Sequence, residues 1–253
     1  MVRPLVALLL PSLLASCGTP EFTADVGYMF MELAGDFGIT DSGGGGGGGL
    51  NINLGEGLDI SNGGSPYGKV EASLLGFRFG VSGFKYSDTG DSILSTSFGD
   101  ITAGSTVNTD LDLTNLKATL AYDLLDFGFL RVSPGISLDY FDIDLEMVAT
   151  SPIAALETID FAVPVPMPYL SAQLNYEDFT LDAEVSGISV SLPDADGLYW
   201  DISAKLRYQP VPLFDMFVGY RYLLIDANGD IGGQNFDADI HMNGLFFGGS
   251  FGF

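Results

Sequence analysis

The chain has 253 residues with 33 Asp and Glu against 9 Lys and Arg, a formal charge of −24. That acid excess repels nucleic-acid phosphates and excludes DNA and RNA as partners, while 47% hydrophobic residues, including 19 Phe and 11 Tyr, exclude a disordered acidic chain. The length suits one all-β domain of barrel size, and no apolar run reaches the ~18–20 residues that a membrane-crossing helix needs.

Residues 1–16 read as an export signal, with Arg3 ahead of an apolar stretch, Pro4–Ala15, interrupted by Pro11. Leu14-Ala15-Ser16-Cys17 follows, and Cys17 is the single cysteine, so no intramolecular disulfide framework exists. This tetrapeptide resembles the bacterial lipobox, which implies a diacylated Cys17 as the mature N-terminus of a lipoprotein. The competing reading is an ordinary signal cut after a small residue nearby.

Residues 17–253 read as one domain. The Gly-rich loop 41–49 holds seven consecutive glycines, Gly43–Gly49. No Lys or helix-forming segment follows them, which excludes a phosphate-cradling loop and leaves a flexible exposed one. Leu50, Ile52, Leu54, Leu58 and Ile60 share one parity, the mark of either an extra strand or an amphipathic piece of loop.

Further on, period-2 alternation dominates in segments of about ten residues. In Asp110–Tyr122, Leu116, Ala118, Leu120 and Tyr122 alternate with Lys117, Thr119 and Ala121. Gly128–Met147, Val165–Tyr176, Phe179–Val190, Leu198–Tyr208 and Asp215–Ile225 follow with the same period. Short turns are expected near Leu75-Gly76, Asp123–Phe127, Glu177-Asp178 and Gln209–Phe214, and long loops at Ala34–Pro66, Ser87–Thr109, Ala149–Pro164, Ser191–Gly197 and Asp226–Phe236. This alternation of short and long connections predicts an all-β, antiparallel, up-and-down transmembrane β-barrel of about ten strands, with eight or twelve as alternatives.

The cations separate this fold from a soluble sandwich or lipocalin-like barrel. Arg78, Lys117, Arg131, Lys205, Arg207 and Arg221 lie on the parity opposite their strand's large apolar residues, with Glu71, Asp139, Asp182, Glu184 and Asp201. An outward Arg or Lys at mid-depth costs roughly 2–4 kcal/mol, so these charges are expected inside, paired with one another. Tyr28, Phe77, Phe79, Tyr122, Phe129, Tyr140, Tyr169, Tyr176, Tyr208, Tyr220 and Tyr222 fall near strand ends, as interfacial girdles do.

The chain closes on Leu245-Phe246-Phe247-Gly248-Gly249-Ser250-Phe251-Gly252-Phe253. Phe253, Phe251, Phe247 and Leu245 resemble the C-terminal signal of Gram-negative outer-membrane barrels, and Gly249 departs from it. With the hairpins, the resemblance extends to small uncharacterised outer-membrane β-barrel proteins. It implies a cell outer membrane location, with the barrel-assembly machinery and outer-membrane lipids as partners.

Enzymes of this architecture use a His base, and the chain has one, His241, beside Asp237 and Asp239. A nucleophile such as Ser186 or Ser189 would have to come from another strand. Asp226, Asn228 and Asp230, with Asp237 twelfth, resemble a calcium loop, but Ile231 replaces the required Gly. The expectation is therefore a non-enzymatic barrel with a structural or surface role and no cofactor beyond a possible Ca²⁺ in the outer loops. A narrow porin-like channel or transporter for small or apolar solutes is the alternative, with Pro164, Pro166 and Pro168 marking a break in strand pairing. A lipid-modifying enzyme built on His241 is the third reading.

Overall fold

The computed structural model describes residues 20–41, 51–60, 62–98, 101–192, 195–231 and 234–252. Ten long strands account for most of them: β1 (Glu21–Asp41), β2 (Asn62–Leu74), β3 (Phe77–Ile93), β4 (Thr106–Tyr122), β5 (Leu130–Ser151), β6 (Ala155–Tyr176), β7 (Phe179–Leu192), β8 (Ala195–Val211), β9 (Phe214–Ile231) and β10 (Gln234–Gly252). Each pairs antiparallel with the next, and β10 returns to β1 from Thr23↔Gly252 outward. The sheet is thus a closed ten-stranded barrel, which leaves no terminal edge strand.

At the end carrying Glu21 and Gly252 the connections are tight. Leu75 and Gly76 both have positive φ (54° and 82°), the conformation of a type I′ hairpin turn, and Leu213 has φ 70° in the β8–β9 turn. The β4–β5 connection is longer, with Leu125-Asp126 bridging Val132 and Arg131.

Alternation changes phase partway up the strands, and this sets the architecture. Near the termini the outward side chains are apolar: Phe22, Val26, Tyr28 and Phe30 on β1, Leu116, Leu120 and Tyr122 on β4, and Ile136, Leu138 and Tyr140 on β5, all exposed. Beyond Tyr140 the apolar residues of β5 become Phe141, Ile143, Leu145, Met147 and Ala149, all buried, and the outward ones become Asp142, Asp144 and Glu146. β4 flips likewise, with Leu113, Leu111 and Val107 buried and Asp112 and Asp110 exposed. An oily outer face belongs in hydrocarbon and a polar one in water, so the flip marks the outer membrane surface. β5 continues from Tyr140 to Ser151, which at about 3.3 Å per residue and a tilt of roughly 40° carries the barrel some 25–30 Å beyond the belt.

The expected long loops are therefore much shorter. β1 runs on to Asp41, β2 begins at Asn62, β5 and β6 meet across residues 152–154, and β9 reaches Ile231. These segments pair because their inward parity still buries apolar side chains, although their outward parity is polar. The ambiguity over Leu50–Ile60 resolves, for the described residues 51–60, into loop structure. Ile52 and Asn53 pair briefly with Phe37 and Asp36 of β1. A short helix, α1 (Leu54–Leu58), follows, capped by the Asn53 side chain, which accepts from the Glu56 N–H. Ile52, Leu54, Leu58 and Ile60 are all buried.

One seam of the wall is incomplete. β6 pairs with β5 along its whole length, from Leu130↔Leu174 to Ala149↔Ala155, but with β7 only from Tyr176↔Phe179 to Tyr169↔Ser186. Beyond that point β6 continues to Ala155, and β7 continues to Leu192 paired with β8 alone.

Candidate functional site: the lumen

The lumen is filled in three layers. The first, near the termini, is ionic. Arg78 donates to Glu71 from Nε (3.0 Å) and Nη2 (2.5 Å), and Lys69 bridges Glu71 (3.5 Å) and Glu184. Lys205 pairs with Asp25 (2.5 Å), and Arg207 forms a two-pronged contact with Asp182 (2.7 and 3.0 Å) and reaches Asp215 (3.5 Å). These groups surround a polar cavity of about 160 Å³, on whose rim Arg131 contacts Gln173 (3.3 Å), Asp126 (3.2 Å) and Asp123 (3.6 Å). In the turn outside the belt, the Gly128 N–H, joined by Arg131, holds the exposed Asp126 carboxyl below its ordinary range.

The second layer crosses the middle. Asp201 accepts from Lys117 (2.5 Å) and from Arg221 Nε (3.0 Å) and Nη2 (2.9 Å). Lys117 also donates to Ser186 (2.6 Å) and Arg221 to Asn115 (3.2 Å), which ties β4, β7, β8 and β9 together. Asp139 accepts from the Tyr199 hydroxyl at 2.8 Å. The cations also lie over rings, Arg221 over Phe84 (5.1 Å) and Lys117 over Tyr169 (5.6 Å), where the aromatic face offsets part of their lost hydration. On the side formed by β9, β10, β1 and β2, Phe217 of β9, Phe246 of β10 and Tyr67 of β2 fill the bore. Inward Gly27 makes room for them, since a Cβ there would lie 2.4 Å from the Phe247 carbonyl oxygen and 3.1 Å from the Phe217 ring.

The third layer is an apolar cap at the outer end. Ile52, Leu54, Leu58 and Ile60 from the α1 segment join Leu94, Phe98 and Ile101 from the β3–β4 connection, over Met29, Met31, Leu33, Tyr86 and Met242.

Arg78, Lys117, Arg131, Lys205, Arg207 and Arg221 thus all point inward, as do Asp139, Asp182, Glu184 and Asp201. Asp25, Lys69 and Asp215 join them, although the alternation argument did not single them out; strand parity marks each of them. Lys85 faces outward above the belt, 3.3 Å from Asp112 of the neighbouring strand. Tyr169 is buried in the lumen rather than in a girdle, because it lies on the odd, inward parity of β6.

Asp226 and Asn228 lie on β9, exposed and outward-facing, rather than in a calcium loop; the strand continues because Leu223 and Ile225 still face inward. They sit opposite Asp239 and Asp237 of β10. The Asp230 side chain lies outside the described residues, and no group of three metal-ligating side chains occurs among the described ones. His241 lies on β10 between Ala34 and Leu224, on the outward parity with Asp239. Ser186 faces the lumen under Lys117, so the fold does not bring it to His241. Residues 1–16, Cys17, Gly43–Gly49 and Phe253 lie outside the described residues.

No known protein-family pattern matches the chain, and no curated protein sequence is significantly similar to it. Solved structures are similar in fold. The outer membrane protease OmpT of Escherichia coli superposes with TM-score 0.57 at 12% identity, over 92% of this chain and 97% of that one. A FadL homologue of Pseudomonas aeruginosa gives TM-score 0.38 at 10% identity, over 92% and 90%. Ail of Yersinia pestis gives 0.37 at 9% identity, over 93% and 100%. The fold is that of the bacterial outer-membrane β-barrels. With its apolar belt, it locates the chain in an outer membrane.

Proposed function

We propose that this chain is a non-enzymatic surface barrel with a closed lumen, which holds a rigid, acidic, water-exposed extension above the outer membrane. The observation that carries the reading is the double closure of the bore, by the Lys117–Asp201–Arg221 cluster at mid-height and by the apolar cap above it. Neither layer offers a wetted path for ions. Partners would meet the extension through its outward carboxylates, among them Asp110, Asp112, Asp142, Asp144 and Asp239. On this reading residues 1–16 direct export, Cys17 carries lipid at the mature N-terminus, and the closing Leu245, Phe247, Phe251 and Phe253 engage the barrel-assembly machinery. The test is conductance of the purified folded protein in planar bilayers. Traces at the background of protein-free bilayers are expected, and reproducible single-channel steps would overturn the proposal.

A further inference from the structure

We infer that the gap between β6 and β7 is a blind notch that seats one acyl chain of an outer-leaflet lipid. Pairing across this seam ends at Tyr169↔Ser186, within the apolar belt: outward Leu170, Leu174 and Tyr176 lie below it, and Pro168, Pro166 and Pro164 rise from it to the height of Tyr140. The unpaired stretch therefore begins in hydrocarbon, crosses the outer surface near Pro164 and continues above it.

An open strand edge in lipid is costly because its N–H groups find no acceptor. This edge is built without three of them. β6 keeps its ladder with β5 through Ile136↔Pro168, Leu138↔Pro166 and Tyr140↔Pro164, and proline has no N–H. The ladder is then hydrogen-bonded through Met167 and Val165, so the backbone of the prolines faces β7. Prolines at every second position thus strip the donors from one lip and bar β7 from pairing there. By the same alternation the N–H groups of Gly187 and Ser189 face the gap from the other lip, Ser189 nearer the outer surface.

The interior behind the gap is apolar except for Asp139, which lies beside Val165 at its lower end and accepts from the Tyr199 hydroxyl. Val163 and Val190 point inward by parity, yet are 38% and 37% exposed. Val165 and Ile188 pack behind them, and Phe141 of β5 meets Tyr199 of β8 edge to face, ring centroids 5.5 Å apart. That ring pair lies one inward position above Asp139 on β5 and Asp201 on β8 and covers the mid-height layer, so the notch offers a seat rather than a passage. Its mouth is continuous with the lipid-wetted belt, which makes the occupant a membrane lipid. The inference does not rest on the closed lumen and survives if that reading fails.

The test uses a benzophenone amino acid in place of Val163 or Val190 in the full chain, folded into phosphatidylcholine vesicles, irradiated and analysed by mass spectrometry. Benzophenone at outward Leu174 is the positive control and at inward Leu223 the negative one. Lipid adducts are expected at 163 and 190 in yields comparable to 174, with none at 223. Absence of adducts at 163 and 190 while 174 is labelled overturns the inference, as does crosslinking to a second copy of the chain instead of lipid. In a Pro164→Thr/Pro166→Thr/Pro168→Thr background, checked for folding by faster migration on unboiled gels, restored donors let β6 and β7 zip together. The yield at 163 should then fall at least fivefold, and an unchanged yield in the folded variant is refuting. Should that variant not fold, the adducts in the parent protein decide the matter.

Discussion

Replacing Asp201 by Asn removes one charge and little else, which makes it a sharp probe of the middle layer. Its two oxygens now serve Lys117 at 2.5 Å and Arg221 at 2.9 and 3.0 Å, and the residues Asp201, Lys117 and Arg221 are only 3%, 4% and 5% exposed. The amide keeps the shape but leaves two cations facing each other with only Asp139, which neither of them hydrogen-bonds, to offset them. Removing one partner of a buried ion pair costs about 3–5 kcal/mol, because the desolvation of the remaining charge is no longer offset. The lower end, about 3 kcal/mol, is expected here, since the adjacent polar cavity lets water approach from below. Guanidinium unfolding in micelles checks the figure, read by gel mobility without boiling and by emission of Trp200, the chain's only Trp. Replacing the whole cluster with Lys117→Met, Asp201→Leu and Arg221→Met, together with Asp139→Asn, which still accepts from the Tyr199 hydroxyl, should bring stability to within about 1 kcal/mol of wild type, since no charge is then stranded. If Asp201→Asn unfolds within about 0.5 kcal/mol of wild type, the cluster is solvated and the mid-height closure is wrong.

Deleting residues 51–60 should leave bilayer conductance at background, because the ionic layer still blocks the bore; adding Lys117→Ala, Asp201→Ala and Arg221→Ala should produce channel steps. Gly27→Val should destabilise by about 1–3 kcal/mol in the same unfolding assay, because its Cβ meets the Phe247 carbonyl at 2.4 Å and the backbone must give way. His241→Ala should change neither gel mobility nor the phospholipid and lipid A composition of the producing cells; loss of a lipid modification would restore the enzymatic reading. Cys17→Ser should abolish palmitate labelling of the chain, and processing of the parent should be sensitive to globomycin; insensitivity would remove the lipid anchor.

How much could be read without coordinates depended on which physical signal each residue carries. Strand number and direction were legible because the belt segments, such as Leu116–Tyr122 and Leu130–Tyr140, alternate in only one way that keeps Lys117 and Arg131 out of lipid. Strand length was not. Beyond Tyr140 and below Leu116 the outward residues turn acidic, and a run such as Asp142-Ile143-Asp144-Leu145-Glu146 still alternates, but in the opposite phase. Taken as a loss of pattern, it suggests loop; taken as inversion, it locates the membrane surface. Tyr169 was misplaced for a related reason, since an aromatic near a strand end belongs to a girdle only on the outward parity. The partners within the lumen were beyond reach, because Lys117 meets Asp201 from 84 residues away and Lys205 meets Asp25 from 180. Parity says that such groups face inward, and only the closed register says which of them touch.

The same inversion explains where the formal charge of −24 resides. Seven cations, Lys69, Arg78, Lys117, Arg131, Lys205, Arg207 and Arg221, face the lumen and are each bound to carboxylates there, so the bore is nearly neutral. Of the remaining two, Arg3 lies outside the described residues and Lys85 stands on the extension. The excess acid must therefore sit outside the bore, and much of it lies on the outward face of the extension. Asp36, Asp239 and Asp226 form one row across β1, β10 and β9 there. Like charges directly opposite on neighbouring strands are mildly destabilising, a cost offset by the apolar core beneath, which the cap residues Leu54, Leu58, Phe98 and Ile101 extend. Cap and collar are thus physically coupled. A barrel of this height with a water-filled upper bore would set only its backbone ladder against the repulsion of its own rim, so the plugged outer end and the acidic outer face reinforce one another.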